Sequence, residues 1–319
     1  MHAAVVTSFD TSPRVQEFPT PVPAGEAEVL VDVLAVGLHP RVRSQANGSH
    51  YTSTDELPLV PGIDGVGRGP DGLLRYFILP DTTMGAMAEK TVIDLRRSIV
   101  LPEGSDPVAV AAGMNPAMGS WVALRHRIDF TAGMNVLVLG ATGSAGQLAV
   151  QVARHFGADR IVAAGRDAVR LAALPALGAT DTVSLTGDPD DVAVRLGEAA
   201  DDVDVVVDFV WGAPATAAMV AVITHRTDRG APLSWIAVGS MGGPTAAIPS
   251  EALRAARLQI VGSGQGSVSA QGFLTELPAI AAEIARGTFS LDVRPMPLAD
   301  VEQAWADAPG SSRRIVLVP

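Results

Sequence analysis

The chain contains no cysteine, which removes disulfides, thiolate catalysis and every cysteine-ligated metal site. Aromatic residues make up only 4% of its 319 positions, so the core has to be assembled from Val, Ala, Leu and Ile. The 48% hydrophobic content supplies them, as in an aliphatic-cored α/β enzyme with room for two domains. Basic residues are the minority charge, 23 against 34 acidic, for a formal net charge of -11. That balance argues against binding nucleic acid or an anionic membrane surface, either of which needs a basic face. No run approaches the roughly eighteen to twenty apolar residues that cross a bilayer, and the N-terminal MHAAVVTSFD lacks a charged segment followed by a hydrophobic one. A cytoplasmic protein is expected, with its few arginines used locally.

What is present is concentrated at residues 136–170. Val136-Leu137-Val138-Leu139 reads as a strand, Gly140-Ala141-Thr142-Gly143-Ser144-Ala145-Gly146 as a glycine turn, and the next residues as an apolar-periodic helix followed by a second strand ending in Gly165-Arg166. This order predicts a β-α-β unit that holds a dinucleotide. Gly143 and Gly146 let backbone approach a pyrophosphate, and the free N–H groups of Ser144 and Ala145 at the helix start attract the anion. The spacing is Gly-x-x-Gly-x-x-Gly, because Ala141 stands where the standard fingerprint has its first glycine. The bland alternative is a tight turn without a ligand.

The second strand tells one cofactor from the other. An NAD site places a carboxylate at its end to bind the ribose 2′-hydroxyl. Here that place holds Ala164 or Gly165, followed by Arg166 and, one helical turn later, Arg170. Two guanidiniums suit a 2′-phosphate, so NADP(H) is the expected cofactor, with Asp167 as the residue that argues the other way.

Elsewhere the first hundred residues read as short strands, Ala3 to Ser8, Glu28 to Gly37, Gly65 to Arg68, Leu74 to Leu79 and Met87 to Ile93, which suggest a twisted β-barrel. Helical patterns cover Ala109 to Met114 and Met118 to Arg125. Strands then alternate with helices, as in a doubly wound parallel sheet, with later strands at Thr182 to Leu185, Val203 to Phe209, Leu233 to Gly239 and Gln259 to Ser263. A helix from Gln271 to Arg286 and a strand from Arg314 to Val318 close the chain, and the acidic run at 187–191 reads as a capped helix start.

Ala35-Val36-Gly37-Leu38-His39-Pro40, Pro61-Gly62-Ile63-Asp64-Gly65-Val66-Gly67, Gly85-Ala86-Met87-Ala88-Glu89, the nucleotide turn, Val207-Asp208-Phe209 and Arg314-Ile315-Val316-Leu317-Val318 resemble, together, the medium-chain dehydrogenase/reductase superfamily. Within it the chain is similar to the zinc-free quinone oxidoreductase branch. The resemblance implies an α/β protein with a GroES-like β-barrel catalytic domain at 1–117 with 267–319, and a Rossmann domain with a doubly wound parallel sheet at 118–266. It also implies a cleft between the domains and a homodimer. The superfamily's catalytic-zinc positions correspond to His39, Ile63 and Pro116, of which only His39 can bind a metal, with Asp64 as a possible second ligand. Catalytic zinc needs three protein ligands, so no metal is expected. Without a Lewis acid the plausible chemistry is hydride delivery to an acceptor that is already electrophilic, a quinone or an α,β-unsaturated carbonyl.

The candidate catalytic residues are His39, Tyr51 and Ser120. His39 ends a strand, where a neutral imidazole can donate to a carbonyl oxygen or an imidazolium can stabilise an enolate; the alternative is a backbone hydrogen bond in the turn before Pro40. Tyr51, one of two tyrosines, sits with His50 in a polar loop suited to substrate contact. The resemblance gives Ser120, near Asn115, the place from which the family holds the nicotinamide ribose or carboxamide. Gly239, Ser240, Gly262, Ser263 and Gly264 end two sheet strands, where ligands of open α/β sheets bind. Arg314 takes the place of a family Lys and can reach the cofactor phosphates, with a helix-capping or surface role as the alternative, and Trp211 covers the adenine or fills core. The reading is an NADPH-dependent, metal-free quinone or enone reductase. Its alternatives are an enoyl-thioester reductase with a basic entry path starting at Arg41 and Arg43, and an NADPH-binding redox sensor without turnover.

Overall fold

Buried Val31, Val33 and Ala35 flank exposed Asp32 and half-buried Leu34, and this two-residue period makes the chain's longest strand. The computed structural model describes residues 1–264, 266–309, 311 and 313–319. It divides into two units, Met1–Asn115 with Leu274–Pro319, and Pro116–Phe273.

The first, β-rich unit contains β1 (His2–Val5), β2 (Arg14–Glu17), β3 (Glu28–Gly37), α1 (Pro40–Ala46), β4 (Asp64–Arg68), β5 (Leu74–Ile78), β6 (Lys90–Asp94) and β7 (Ser98–Val100). Helix α2 (Pro107–His126) follows, and the division between units falls within it. The second, nucleotide unit carries β8 (Val136–Leu139), α3 (Ser144–His155), β9 (Ile161–Gly165), α4 (Ala168–Leu177), β10 (Asp181–Ser184), α5 (Pro189–Ala199), β11 (Val205–Asp208), α6 (Gly212–His225), β12 (Leu233–Ala237), α7 (Ser250–Ala255) and β13 (Leu258–Gly262). After α8 (Ala270–Ala285), the chain ends in the β-rich unit with β14 (Val293–Pro297), α9 (Val301–Asp307) and β15 (Arg314–Val318).

In the nucleotide unit six parallel strands run in the order β10-β9-β8-β11-β12-β13. The doubly wound sheet expected from the alternating pattern is therefore present, and its strand order reverses between β8 and β11, where such folds bind ligands. Strands β8, β9 and β11 are buried along their length, so they read as continuous apolar runs instead of alternating ones. The core of this unit gathers Leu137, Leu139, Val206, Met219 and Trp235.

The β-rich unit departs from the expected barrel. Its strands form an open sheet, β14-β15-β3-β4-β5-β7 with β6 also on β3, and among the described residues they do not close on themselves. One edge is β14, whose sequence Val-Arg-Pro-Met-Pro has prolines at 295 and 297 that offer no N–H to a further strand. The other edge, β7, has only three residues. Helix α2 departs as well, because it runs unbroken through Pro116 where two separate helices are expected. Buried Val110, Met114, Trp121, Val122 and Leu124 on both sides of the proline supply packing that outweighs one missing backbone bond. The acidic run behaves as expected: Asp188 caps α5 by accepting from the N–H groups of Asp190 and Asp191. No helix among the described residues is long and apolar enough to cross a membrane.

Candidate functional site

The nucleotide turn is built from backbone alone. Gly140 adopts φ 83°, a left-handed conformation open to glycine, and the N–H groups of Gly140 and Ala141 both donate to the Ala164 carbonyl at 3.0 and 2.9 Å. Gly143 caps α3 without a side-chain bond, leaving the first-turn N–H groups, those of Ser144, Ala145 and Gly146, without helical acceptors. At Gly146 a Cβ would lie 2.2 Å from the Gly140 oxygen and 2.6 Å from Ala141 Cα. The helix can thus press against the turn only because residue 146 has no side chain. Free N–H groups and the positive end of the helix dipole then converge on one spot, a fit for a pyrophosphate.

At the end of β9, Gly165 leaves room for Thr142, whose Cγ2 would be 2.5 Å from a Cβ there. Asp167 caps α4 by accepting from Arg170 N–H at 3.0 Å and pairs with Arg170 Nε at 3.3 Å. The one acid that argued for NAD is therefore committed to a helix cap and an arginine. Arg170 also donates to the Thr142 carbonyl at 3.3 Å, tying the start of α4 to the glycine turn. Arg166 is exposed beside them.

The turns after β11 and β12 pack backbone against backbone. Gly239 N–H donates to the Asp208 carbonyl at 3.1 Å and Gly242 N–H to the Val210 carbonyl at 2.6 Å. A Cβ at Gly239 would lie 2.9 Å from the Phe209 oxygen. Fully buried Asp208 holds the first turn: Oδ1 accepts from the N–H groups of Val210 and Trp211 at 2.7 and 3.0 Å, and Oδ2 from the Trp235 indole at 3.0 Å. Burial pushes its carboxyl above the usual range, against the pull of those three donors. Trp211, at φ 52°, packs on the core of this unit, in keeping with the core-filling alternative. We expect Asp208→Ala to cost about 2–4 kcal/mol in denaturant unfolding, because it strands three donors. An unchanged midpoint would show that the turn does not depend on them.

The remaining candidates of this unit occupy the same end of the sheet. Ser240 and Gly264 are exposed, Ser263 is buried and its N–H donates to the Ala237 carbonyl at 2.8 Å, and the Gly262 carbonyl accepts from Arg127 Nε at 2.7 Å. Ser120 is fully buried in α2, and its hydroxyl donates to the Ala117 carbonyl at 3.3 Å. What it can offer a carboxamide is its lone pairs. Asn115, five residues earlier on the same helix and the last residue of the β-rich unit before the division, is half-buried.

In the β-rich unit, His39 ends the segment after β3 and precedes Pro40, the first residue of α1. Its side chain does not bond the local backbone. Nε2 meets Asp64 Oδ1 at 3.0 Å, and Asp64 Oδ2 accepts from the Tyr76 hydroxyl at 2.7 Å. The hairpin register explains the second contact: Tyr76 pairs with Val66, so Asp64 and Tyr76 are diagonal neighbours on one face. All three side chains are buried. Burial lowers the His39 pKa below its ordinary 6.5, Asp64 opposes this, and the cations Arg314 and Arg41 add to the lowering. Arg314, placed in this unit by β15, donates to the Leu38 carbonyl at 3.4 Å, and burial brings its guanidinium down to about 10 despite Asp64.

A depressed histidine pKa has a signed consequence. Between the folded value and 6.5 the unfolded chain binds the proton and the folded chain does not, so stability is full above that window and is lost as pH falls through it. Thermal midpoints of the wild type and His39→Asn measured from pH 7.5 to 5 are expected to diverge least at the acid end. A constant difference would contradict a neutral buried His39.

Tyr51 is 75% exposed and stacks on His50 with ring centroids 4.2 Å apart. The loop beneath is pinned by Arg41, whose Nη2 donates to Asp81 and to Thr52 Oγ1 at 2.6 Å, while Thr52 also donates to Asp81. Arg43 donates to the Trp305 carbonyl and lies 5.1 Å over its ring. Both guanidiniums that would begin a basic entry path are occupied within the unit.

A family model described as zinc-binding dehydrogenase matches residues 145–282. The chain is 30% identical to the "Probable NADPH-dependent quinone reductase tdiC" of Emericella nidulans, an alignment that spans all of both chains. The chain belongs to the medium-chain dehydrogenase/reductase superfamily. It is also 28% identical to the chloroplastic NADPH-dependent alkenal/one oxidoreductase of Arabidopsis thaliana, over 58% of this chain and 50% of that protein. Among solved structures, the quinone oxidoreductase of Thermus thermophilus, studied also in complex with NADPH, matches with a TM-score of 0.83 at 25% identity over all of both chains. This places the chain in the quinone oxidoreductase-like branch of the superfamily.

At the positions expected to correspond to the superfamily's catalytic-zinc ligands the chain carries His39, Ile63 and Pro116. Residues 39, 63 and 116 lie outside the matched 145–282. Ile63 and Pro116 have no donor atoms, and His39 Nε2 is engaged by Asp64. Among the described residues no three His, Asp or Glu side chains gather as metal ligands. Within the β-rich unit the structure brings His39 together with Asp64, Tyr76 and Arg314, and Tyr51 with His50. Ser120 and the glycine turns belong to the nucleotide unit. Sequence reasoning missed Tyr76 as a partner of Asp64, and Asp208 as the pin of the β11 turn. The first had a signal in the hairpin register; the second had only an acid at the end of an apolar strand.

Proposed function

We propose that this superfamily member is an NADPH-dependent, metal-free reductase that passes a hydride to a quinone or to the β-carbon of an α,β-unsaturated carbonyl. The observation that carries the reading is the glycine cradle ending in Arg166, with the neighbouring acid Asp167 consumed by a cap and by Arg170. The names of its relatives, quinone reductase and alkenal/one oxidoreductase, support the same acceptor classes.

When bound, NADPH supplies the hydride, and the residues of the chain bind, orient and manage charge. Gly140, Thr142, Gly143, Ser144, Ala145 and Gly146 hold the pyrophosphate through backbone. Gly165, Arg166 and Arg170 take the ribose 2′-phosphate. Ser120, together with Gly239, Ser240, Gly262, Ser263 and Gly264, accommodates the nicotinamide half. His39 and Tyr51 meet the acceptor, and the Tyr51 hydroxyl and the imidazolium form of His39 hold the oxygen on which negative charge develops, a contribution that with orientation supplies most of the rate in chemistry of this kind. Arg314 contributes positive potential beside His39 rather than a direct phosphate contact. The enzyme is proposed to act in the cytoplasm as a homodimer, pairing through the edge strand β13.

The test follows NADPH consumption with quinones, enones and an enoyl thioester, with NADH in parallel. Oxidation of NADPH by quinones or enones is expected, and much slower oxidation of NADH. Turnover only with the thioester would select the enoyl-thioester reading, and cofactor binding without oxidation by any acceptor would select the sensor.

A further inference from the structure

The His39 site contains a directional chain of hydrogen bonds that the reaction as described does not use. Tyr76 is fully buried, and burial together with the Asp64 charge pushes its phenol well above its ordinary pKa. It therefore remains a donor to Asp64 Oδ2 at any working pH. A carboxylate has only acceptors to offer. With Oδ2 receiving the phenol proton, Oδ1 must receive one from the atom it faces, which is His39 Nε2 at 3.0 Å. Among the described residues Nδ1 has no hydrogen-bond partner.

The charged groups around the imidazole come from four elements: Asp64 on β4, Tyr76 on β5 behind it, Arg41 on α1 and Arg314 on β15. The adjoining stretch of α2, residues 107–115, which touches Gly37, carries no titratable group. We infer that Asp64, itself held by Tyr76, is a positioning residue that keeps the proton of neutral His39 on Nε2 and presents Nδ1 to the acceptor as a hydrogen-bond acceptor. This rests on the reading that His39 meets the acceptor.

Such an orientation reverses one expectation from the sequence. A neutral His39 does not donate to a substrate carbonyl, because its only N–H is directed at Asp64. It accepts from a hydroxyl, as a hydroquinone product provides. It gives a proton only from the imidazolium form: the Nδ1–H bond breaks, its electron pair stays on Nδ1, the new O–H bond forms on the reduced substrate oxygen, and the ring returns to the Nε2–H form. Water then resupplies the proton. Asp64 keeps its charge throughout, as the orienting acid of a catalytic triad does. The acceptor class that best matches is a quinone, whose reduced oxygens need protons and whose product hydroxyls can donate to Nδ1.

The test is nitrogen-15 NMR of the His39 ring in the full chain near neutral pH, with the signals assigned by their loss in His39→Asn. A protonated Nε2 and a bare Nδ1 are expected. Asp64→Asn should turn this into a tautomer mixture, and Asp64→Glu should restore it. Because Asp64 raises the His39 pKa, the limb of the turnover profile that falls with rising pH should move to lower pH in Asp64→Asn. If Asp64→Asn does not fold, Tyr76→Phe, which removes one hydroxyl, should give the same changes in smaller measure.

A wild-type ring with its proton on Nδ1, or a mixture that Asp64→Asn leaves unchanged, overturns the inference. If the ring behaves as expected while His39→Asn retains full turnover with an unmoved pH profile, the positioning stands. The role of His39 at the acceptor is then what fails.

Discussion

Gly146→Val is expected to weaken NADPH binding by at least about a hundredfold, the equivalent of roughly 2.7 kcal/mol. The reason is geometric. A side chain at 146 would begin 2.2 Å from the Gly140 oxygen and 2.6 Å from Ala141 Cα, and both are backbone atoms of the turn proposed to receive the pyrophosphate. Neither can rotate aside, so α3 has to withdraw from the end of β8, carrying its free N–H groups with it. Overpacking of this kind also costs about 1–3 kcal/mol of stability, which a denaturant titration would register beside the binding measurement. Gly143→Ala is the internal comparison. Its new methyl group would find nothing nearer than the Gly140 oxygen at 3.5 Å, and its φ of -77° suits any residue. That variant should fold as the wild type does and lose affinity only by crowding the ligand. Equal binding by Gly146→Val and wild type in a fluorescence titration would mean that the pyrophosphate lies elsewhere.

The second large effect belongs to Arg166. Its replacement by alanine should raise the NADPH dissociation constant by about ten- to a hundredfold, the worth of one or two charge-assisted bonds to a phosphate, and leave the NADH constant unchanged. Asp167 decides the matter. In a bare sequence that acid weakens the NADP assignment, but its carboxylate caps α4 and pairs with Arg170. It is therefore not free to take a ribose 2′-hydroxyl. Arg170 is held in place by Asp167 and the Thr142 carbonyl, so exposed Arg166 is the cation that can move to meet the phosphate. An unchanged NADPH constant in Arg166→Ala, or tighter binding of NADH than of NADPH by the wild type, would contradict the assignment.

Both effects arise in the part of the molecule most legible from sequence. The β8 turn, helix α3 and β9 are contiguous, and buried parallel strands announce themselves as unbroken apolar runs, so the unit can be read locally. Strands Glu28–Gly37 and Arg314–Val318 also stand where periodicity places them. Edge strands are harder. Arg14–Glu17 is mostly exposed and Val293–Pro297 carries two prolines, so neither shows an alternating pattern, and short strands alone suggest a barrel where the structure has an open sheet. Pro116 suggests a break in helix α2, yet apolar packing on both sides carries the helix through.

The acid–base cluster is the least legible part. His39 stands out as a lone imidazole, but its behaviour is set by Asp64, 25 residues away, and through it by Tyr76. Only the pairing of β4 with β5 brings the second of these into line. A single residue suggests chemistry here, and its sign, donor or acceptor, depends on partners that only the fold supplies. Ser120 shows the same dependence, since its hydroxyl proton is taken up by the Ala117 carbonyl of its own helix.

The central claim is direct hydride transfer from NADPH to an electrophilic acceptor without a metal. It is tested most directly by supplying the two C4-deuterated epimers of NADPH separately, with a quinone and with an enone, to protein freed of metal by chelation. The deuterium content of the NADP+ formed is then measured. The account predicts sustained turnover in which one epimer gives unlabelled NADP+ and the other gives NADP+ that keeps its deuterium. Turnover that disappears with the metal, or NADP+ that is equally labelled from both epimers, would contradict it.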